Sequence, residues 1–285
     1  MTMRRRRLVR APASSANLGP GYDVLAVALQ MHMELEVEET GTFAIHTDLD
    51  LPRDRSNLCV RAFEHLHDPA GFEFTIRSPI PLTGGLGSSA AAIVAGLMAA
   101  DHLFELDADL LTAAIELEGH PDNVAATLLG GFVVCADQTA TRFDIPAGLE
   151  GIVVVPPTPV PTPEARAALA DQVPLADAVF NVAHASMLVL GLARGDWDLL
   201  ARGLDDRLHQ PRRAHLYPRS LELAARAREL GALGATISGA GPAVLVWTHY
   251  EQTGGLVAGL RREMADDELV LRVPFETQGA EVREL

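Results

Sequence analysis

The sequence predicts an α+β protein of two domains. Its 285 residues are enough for about two domains at the usual ~150 residues each. Segments in which apolar and polar residues alternate, as in half-buried strands, occur beside longer segments with helical periodicity. A proline-rich segment at residues 154–165 separates two composition regimes and is the predicted boundary. We therefore expect one domain over residues 1–155 and a second over residues 156–285.

Four segments have strand character. Residues 29–37 alternate strictly, with the apolar side chains on one face and glutamine, histidine and glutamates on the other. Residues 72–76 repeat this alternation more briefly. Residues 151–156 (GIVVVP) and 243–247 (AVLVW) are continuously apolar, which is typical of strands buried on both faces.

The longer periodic segments are predicted helices. They cover residues 89–104, 108–117, 175–193, 196–208, 219–230 and 253–264.

A glycine-rich loop runs directly into the first long predicted helix, at residues 81–92 (PLTGGLGSSAAA). Gly85 and Gly87 let the backbone approach a ligand closely, and the first helical turn beyond Ser88 offers unpaired N–H groups and a positive dipole end. An anion such as phosphate suits this junction. The loop lacks the lysine of a Walker motif and the third glycine of a dinucleotide fingerprint. A serine-capped glycine turn is the structural alternative.

Polar groups concentrate at residues 118–126 (EGHPDNVAA), between a predicted helix and an apolar segment. Gly119 and Pro121 can end one helix, and Asp122 or Asn123 can cap the next. Capping leaves a carboxylate, an imidazole and an amide at one helix boundary, a grouping more typical of a site than of a turn.

A third loop of small residues, 238–241 (SGAG), lies between two apolar segments. By itself it indicates a tight connection between strands. Its small side chains would also let backbone N–H groups approach phosphate.

Residues 13–23 (ASSANLGPGYD), 81–92 and 236–242 (TISGAGP) together resemble the three motifs of the GHMP kinase superfamily. The homoserine kinase branch is the most similar, through residues 14–29, 118–124, 161–169 (PTPEARAAL) and 209–218 (HQPRRAHLYP). Thr83-Gly84 and Ala126 depart from that pattern, beside the polar positions rather than at them.

This resemblance implies phosphorylation of the L-homoserine hydroxyl by ATP, giving O-phospho-L-homoserine on the route to threonine. It also implies an N-terminal domain like domain 2 of ribosomal protein S5, a ferredoxin-like C-terminal domain, and a homodimer.

Residue roles follow from the same resemblance. Asp23 would bind the substrate ammonium, Arg166 and Arg213 its carboxylate, and Asn17, His120 and Asn123 its remaining polar atoms. Ser89 and Glu118 would act in catalysis and hold Mg²⁺, with Glu116 the weaker metal candidate. Residues expected to contact ATP are Asn57, Pro81, Leu82, Thr83, Gly84, Gly85, Leu86, Gly87, Ser88, Ser89, Ala90, Ala91, Ser238 and Gly239.

The general base is the open point of this mechanism. In other GHMP branches an aspartate near this position is thought to take the hydroxyl proton, and Asp122 is adjacent to that position in this sequence. The homoserine kinase branch has an asparagine at the position itself, which is Asn123 here. We therefore expect transfer without a dedicated base, with Asn123 orienting the hydroxyl and Asp122 capping a helix.

Composition agrees with these expectations. A net charge of -15 disfavours nucleic acid and anionic membranes as partners. Cys59 and Cys135 lie in apolar contexts and are expected to be buried thiols in a reducing cytoplasm. The basic run at residues 4–7 precedes no long apolar region, which argues against a signal peptide and favours arginines in solvent beside a first strand.

Two other functions stay open from the sequence. A GHMP kinase acting on a different alcohol would share the phosphate loop, although the two arginines favour a substrate with a carboxylate. A non-catalytic binding module is the third possibility, and the retained loop glycines and Glu118 argue against it.

Overall fold

The structure, a computed structural model, describes residues 5–82, 84–265 and 267–285. One sheet contains β1 (Arg6–Ala16), β2 (Leu25–Glu39), β3 (Ala44–His46), β4 (Phe72–Arg77), β5 (Phe132–Ala136), β6 (Thr139–Phe143) and β11 (Glu281–Glu284). A second sheet contains β7 (Leu149–Val155), β8 (Gly234–Ile237), β9 (Val244–His249) and β10 (Leu269–Arg272).

The helices are α1 (Leu58–Leu66), α2 (Ser88–Phe104), α3 (Leu110–Glu118), α4 (Asp122–Leu129), α5 (Thr162–Ala167), α6 (Leu175–Arg194), α7 (Trp197–Gly203), α8 (Pro218–Glu229) and α9 (Tyr250–Glu263). A short 3₁₀ helix spans Pro211–Arg213.

The first sheet has the order β11-β1-β2-β4-β3, and β5 pairs with the other end of β2 and with β6. Its pairs are antiparallel except β3 with β4. The alternation predicted for residues 29–37 is confirmed, because Met33, Leu35 and Val37 are buried while the intervening glutamates are partly exposed. This buried face lies against α2.

The second sheet is antiparallel, with the order β10-β7-β9-β8. Alternate residues of β7 pack into two different hydrophobic cores, one on each face of the strand. Val153 and Val155 join the core of the first sheet, whereas Ile152 and Val154 pack with residues of α8 and α9. Burial on both faces explains why these strands are continuously apolar in sequence.

The two sheets do not divide the chain at a single point. Strand β7 ends at Val155 but belongs to the second sheet, and β11 returns from the C-terminus to the first. The predicted division after residue 155 stays a prediction.

Two details of the sequence analysis are corrected by the structure. Helix α7 ends at Gly203 rather than near residue 208, because the Asp206 carboxylate binds the next backbone N–H groups in a separate turn. Arg7 is only 8% exposed, contrary to the expected solvent position, because β1 is an interior strand and Arg7 pairs with Glu284. Arg4 lies outside the described residues.

Other details agree with the sequence analysis. Gly119 ends α3 in a left-handed conformation, as its position predicts. Cys59 and Cys135 are buried free thiols, and burial raises the pKa of each to about 12.

Helix α6 is long and apolar enough to cross a membrane by length and composition alone. One such helix within the described residues is a common feature of proteins with no membrane segment, and Leu188 and Leu192 of α6 are buried against the protein. The predicted cytoplasmic location, and the predicted absence of membrane and nucleic-acid partners, stay predictions.

Three loops distant in sequence meet at one point. The Ser238 hydroxyl donates to the Gly85 carbonyl oxygen (2.6 Å) and lies 2.8 Å from the Ser15 hydroxyl oxygen. The Ser14 N–H donates to the Leu86 carbonyl oxygen (3.1 Å). We call this meeting point of residues 14–17, 84–87 and 238–241 the loop junction.

We expect Gly85→Ala to destabilise the fold strongly. Gly85 has φ +76°, and an added Cβ would overlap the Ser238 carbonyl oxygen. The strained φ and the steric clash together should lower the free energy of unfolding by about 2 kcal/mol or more. Urea unfolding followed by circular dichroism measures this loss.

Gly254→Ala is the matched control. Gly254 lies inside α9 with no atom within 4 Å of an added Cβ, so this change should be neutral or stabilise by about 0.5–1 kcal/mol. Equal unfolding free energies for the two variants would contradict the role given to the loop junction.

Candidate active site

A cavity of about 660 Å³ opens beside the loop junction. Both sheets contribute to it through their connecting loops, and helices α2, α4 and α5 reach it. The predicted site residues that line it are Asn17, Asp23, Asn57, Leu82, Gly85, Leu86, Gly87, Ser88, Ser89, Glu118, His120, Asn123, Arg166, Arg213 and Gly239.

Other predicted residues lie outside this lining. Pro81 and Gly84 border a neighbouring cavity of about 200 Å³, which Leu82 also lines. Ala90, Ala91 and Ser238 are buried behind the loop. Thr83 lies outside the described residues.

The N-terminus of α2 lies at one end of the cavity. Gly87 precedes the helix with φ 67°, and no side chain caps it. Ala91 makes the first helical hydrogen bond, to the Gly87 carbonyl oxygen (2.9 Å). Within the described part of the chain, the N–H groups of the three residues before Ala91 have no acceptor. They and the helix dipole can bind phosphate oxygens.

A carboxylate and a hydroxyl meet beside this end. The Ser89 hydroxyl donates to Glu118 Oε1 (2.6 Å), and the Glu118 side chain is only 10% exposed. Glu116, by contrast, is 62% exposed and pairs with His65 at 3.6 Å. The structure therefore brings Glu118, rather than Glu116, to the cavity.

His120 and Asp122 form a hydrogen-bonded pair next to Glu118. His120 Nδ1 lies 2.5 Å from Asp122 Oδ1, and Asp122 also accepts from the Asn123 N–H (2.7 Å). Burial lowers the pKa of His120, but the hydrogen bond and charge of Asp122, with the charge of Glu118, outweigh burial and raise it overall. The expectation that Asp122 caps a helix is corrected: Pro121 is the capping position, and Asp122 is the first residue of α4.

Asn123 is held by a residue that sequence reasoning missed. The Ser14 hydroxyl donates to Asn123 Oδ1 (2.9 Å), and the Thr127 hydroxyl donates to the Pro12 carbonyl oxygen (3.1 Å) beside it. The Asn123 Nδ2 group is left to donate into the cavity, since it has no acceptor among the residues that the structure describes.

At the other end of the cavity, Arg166 of α5 and Asp23 bind one another. Arg166 Nη1 and Nη2 donate to the two carboxylate oxygens of Asp23 (3.0 and 2.9 Å), and Nη1 also donates to the Tyr22 hydroxyl (3.0 Å). Of the five guanidinium N–H groups, Nε–H and one Nη2–H have no acceptor in the described ranges. These two N–H groups lie on one side of the guanidinium and can donate to both oxygens of a second carboxylate.

Arg213 is the most buried cation of the site, at 1% exposure. Its Nε–H donates to the Ala165 carbonyl oxygen (2.7 Å), and its guanidinium lies 5.2 Å from the centre of the Tyr22 ring. His209 lies 3.5 Å from it and donates through Nε2 to the Gly19 carbonyl oxygen (2.7 Å). Burial lowers the pKa of His209, which disfavours a second cation beside Arg213 and leaves Nδ1 of the ring as an acceptor for it.

No carboxylate among residues 5–82, 84–265 and 267–285 forms an ion pair with Arg213. Its neighbour Arg212 differs, because it is 25% exposed and lies 3.6 Å from Asp177. A buried cation without an anionic partner is costly unless a ligand supplies the anion.

Two asparagines among the predicted site residues, Asn17 and Asn57, stabilise local structure through hydrogen bonds. Asn17 Nδ2 donates to the Gly239 carbonyl oxygen (2.7 Å) and Asn17 Oδ1 accepts from the Asp23 N–H (2.9 Å), which fixes the loop that carries Asp23. Asn57 caps α1 by accepting from the Cys59 N–H (3.0 Å). Asn57 also borders the end of the cavity formed with residues 50–52 and 56.

Comparison with known proteins agrees with this arrangement. The family model for the GHMP kinases N terminal domain matches residues 57–131, and the model for the GHMP kinases C terminal domain matches residues 188–266. The first range contains the glycine loop and the polar groups that follow α3.

Named relatives match over most of their length. The chain is 42% identical over 262 residues to homoserine kinase of Gloeobacter violaceus, covering 85% of this chain and 88% of that one. It is 38% identical over 261 residues to homoserine kinase of Moorella thermoacetica, covering 86% and 88%. The crystal structure of homoserine kinase from Cytophaga hutchinsonii superimposes with a TM-score of 0.88 at 30% identity, covering 99% of both chains.

The two-domain fold, the cavity at the loop junction and the similarity to the named relatives all indicate the same family. The chain belongs to the homoserine kinase family of the GHMP kinases.

Proposed function

We propose that this protein transfers the γ-phosphoryl group of ATP to the side-chain hydroxyl of L-homoserine, giving O-phospho-L-homoserine on the route to threonine. The observation that carries the choice of substrate is the Arg213 guanidinium, which is buried and has no ion-pair partner among the described residues, in a cavity that also contains the N-terminus of α2. One end binds a carboxylate, and the other binds phosphate.

Each charged group of homoserine has a matching group. Arg213 and the unpaired side of Arg166 receive the carboxylate by charge-assisted hydrogen bonds. Asp23 accepts from the ammonium while it still orients Arg166. The hydroxyl then extends toward Asn123 and the phosphate end.

Phosphoryl transfer depends on positioning and on stabilising charge. The first-turn N–H groups of α2 hold the ATP phosphates, and Asn123 Nδ2 donates toward the reacting oxygens. Asp122 and Glu118 raise the pKa of His120, which favours its cationic form beside these groups. These groups act on charge that develops during transfer.

Ser89 and Glu118 fit a Mg²⁺ site. Their oxygens lie 2.6 Å apart beside the phosphate end, and both are the hard donors that Mg²⁺ prefers. The described residues contain no group of three or more histidine, cysteine or acidic side chains arranged for a metal, and this site needs fewer because phosphates and waters complete it. When bound, Mg²⁺ neutralises phosphate charge.

The reaction proceeds without a dedicated base. The hydroxyl oxygen forms a bond to the γ-phosphorus as the bond to ADP breaks, and the hydroxyl proton passes to a phosphate oxygen or to solvent. Asp122 lines the cavity, but it is a poor candidate for the base because it is 1% exposed and its Oδ1 already binds His120 and the Asn123 N–H.

We also propose a homodimer formed through α6. Four apolar side chains on its outer face are 41–80% exposed: Leu175, Val179, Val182 and Leu190. Residues 178–193 contain no acidic or basic side chain other than His184, although the chain carries a net charge of -15. An uncharged face can meet its own copy across a two-fold axis without like-charge repulsion.

The substrate assignment predicts selective turnover. With Mg²⁺ and ATP, the protein should phosphorylate L-homoserine in preference to L-serine, L-threonine, shikimate and mevalonate in an ADP-release assay. Arg213→Gln should raise KM for homoserine by about 10- to 100-fold, the value of a charge-assisted hydrogen bond, with KM for ATP unchanged.

Arg212→Gln is the matched control, because Arg212 pairs with Asp177 at the surface. It should change KM less than about twofold, as surface ion pairs contribute little. Preference for another alcohol in the panel, or equal effects of the two substitutions, would rule out the assignment.

The carboxylates of Glu118 and Asp122 should differ in their roles. Glu118→Gln removes a metal ligand, so the Mg²⁺ concentration for half-maximal rate should rise about tenfold or more. Asp122→Asn should leave Mg²⁺ dependence unchanged and lower kcat by less than about 100-fold, since general-base catalysis contributes about 10²–10⁴-fold. A loss of several orders of magnitude in Asp122→Asn, with ATP binding and folding intact, would make Asp122 the base.

The α6 face predicts an assembly that charge disrupts. Wild-type protein should be dimeric by gel filtration with light scattering, and Val179→Glu combined with Val182→Glu should be monomeric. Leu106→Glu, at a position of 41% exposure away from α6, is the control and should stay dimeric. Wild-type monomer at working concentration would exclude the dimer.

A further inference from the structure

Tyr22 stands between the two arginines of the cavity. It lies on the loop that joins β1 to β2, and its partly buried side chain lines the cavity. Its ring centre is 5.8 Å from the Arg166 guanidinium and 5.2 Å from that of Arg213, and the ring packs against His209 at 5.5 Å. The hydroxyl is thus held beside the groups assigned to the carboxylate.

The Tyr22 hydroxyl has an acceptor role already filled and a donor role open. Arg166 Nη1 donates to its oxygen at 3.0 Å. Among the described residues, none accepts its O–H proton. Burial first, and the charge of Asp23 second, raise the pKa of Tyr22 despite the two arginines, so the phenol keeps its proton at neutral pH.

Carboxylate oxygens are the acceptors that complete such a donor. A carboxylate has about four lone-pair sites on two oxygens, so it can accept from a phenol O–H as well as from guanidinium N–H groups. A phenol that accepts from a guanidinium is also polarised into a better donor. The remaining charged group at this end, Asp23, binds Arg166 through both carboxylate oxygens and accepts no hydrogen bond from the Tyr22 hydroxyl in the described residues.

We propose that the Tyr22 hydroxyl donates a hydrogen bond to the carboxylate of the amino-acid substrate and is a specificity-determining residue of this enzyme. The inference rests on the proposed function. Tyr22 makes the enzyme favour the carboxylate form of the substrate over an otherwise identical alcohol.

Tyr22→Phe tests this directly, since it keeps the ring between the arginines and removes only the hydroxyl. The substrates compared are L-homoserine and L-homoserinol, in which a hydroxymethyl group replaces the carboxylate. We expect kcat/KM for homoserine to fall about tenfold or more, mainly through KM, with KM for ATP unchanged. The dissociation constant for homoserinol, measured by calorimetry with a non-hydrolysable ATP analogue, should change less than about twofold.

Tyr250→Phe is the matched control, because its hydroxyl lies on an exposed side chain beside Glu251. It should leave all constants unchanged. An unchanged KM for homoserine in Tyr22→Phe, or equal losses for homoserine and homoserinol, would overturn the inference while the proposed function stands. Failure of the wild-type protein to phosphorylate homoserine would overturn both.

Discussion

The hydrogen bond from the Ser238 hydroxyl to the Gly85 carbonyl oxygen is the contact on which the active-site geometry depends. It joins loops more than 150 positions apart in sequence, at a point where the Ser15 hydroxyl also meets them. A buried hydroxyl that lost these partners would pay its full desolvation cost, so the three loops are strongly coupled. Asn17 extends the same network to Asp23. Under the proposed function, this network fixes the distance between the phosphate end and the amino-acid end of the cavity.

The charge at the amino-acid end of the cavity is opposite in sign to the net charge of the chain. The chain carries a net charge of -15, yet among the described residues the amino-acid end of the cavity is lined by Arg166 and Arg213 with one carboxylate, Asp23, whereas the other acidic residues of the cavity lie elsewhere in its lining. Backbone N–H groups of α2 supply the phosphate end without a lysine. The protein leaves Arg213 without an anionic partner in its described part, and under the proposed function the substrate carboxylate would supply one on binding. The proposed ion pair between Arg213 and the substrate carboxylate would therefore both recognise the substrate and stabilise the site.

Local sequence patterns predicted much of the fold and the chemistry but little of the geometry. Helix α2, the glycine loop and the role of Gly119 could be read from periodicity and turn residues. The support of Asn123 by Ser14 could not, because the two are 109 positions apart and meet only through sheet register. The contacts of Tyr22 could not be predicted for the same reason, because its partners lie on α5 and the 3₁₀ helix. The sequence pattern around Asp122 is typical of a helix cap, whereas in the fold its carboxylate binds His120.

The most direct test of this account is a crystal structure with L-homoserine, Mg²⁺ and a non-hydrolysable ATP analogue bound. We expect the substrate carboxylate within hydrogen-bond distance of Arg213, and the γ-phosphate at the first-turn N–H groups of α2, with the substrate hydroxyl between them. A carboxylate bound away from Arg213, or a triphosphate away from the N-terminus of α2, would contradict the central claim that one cavity holds both substrates in line.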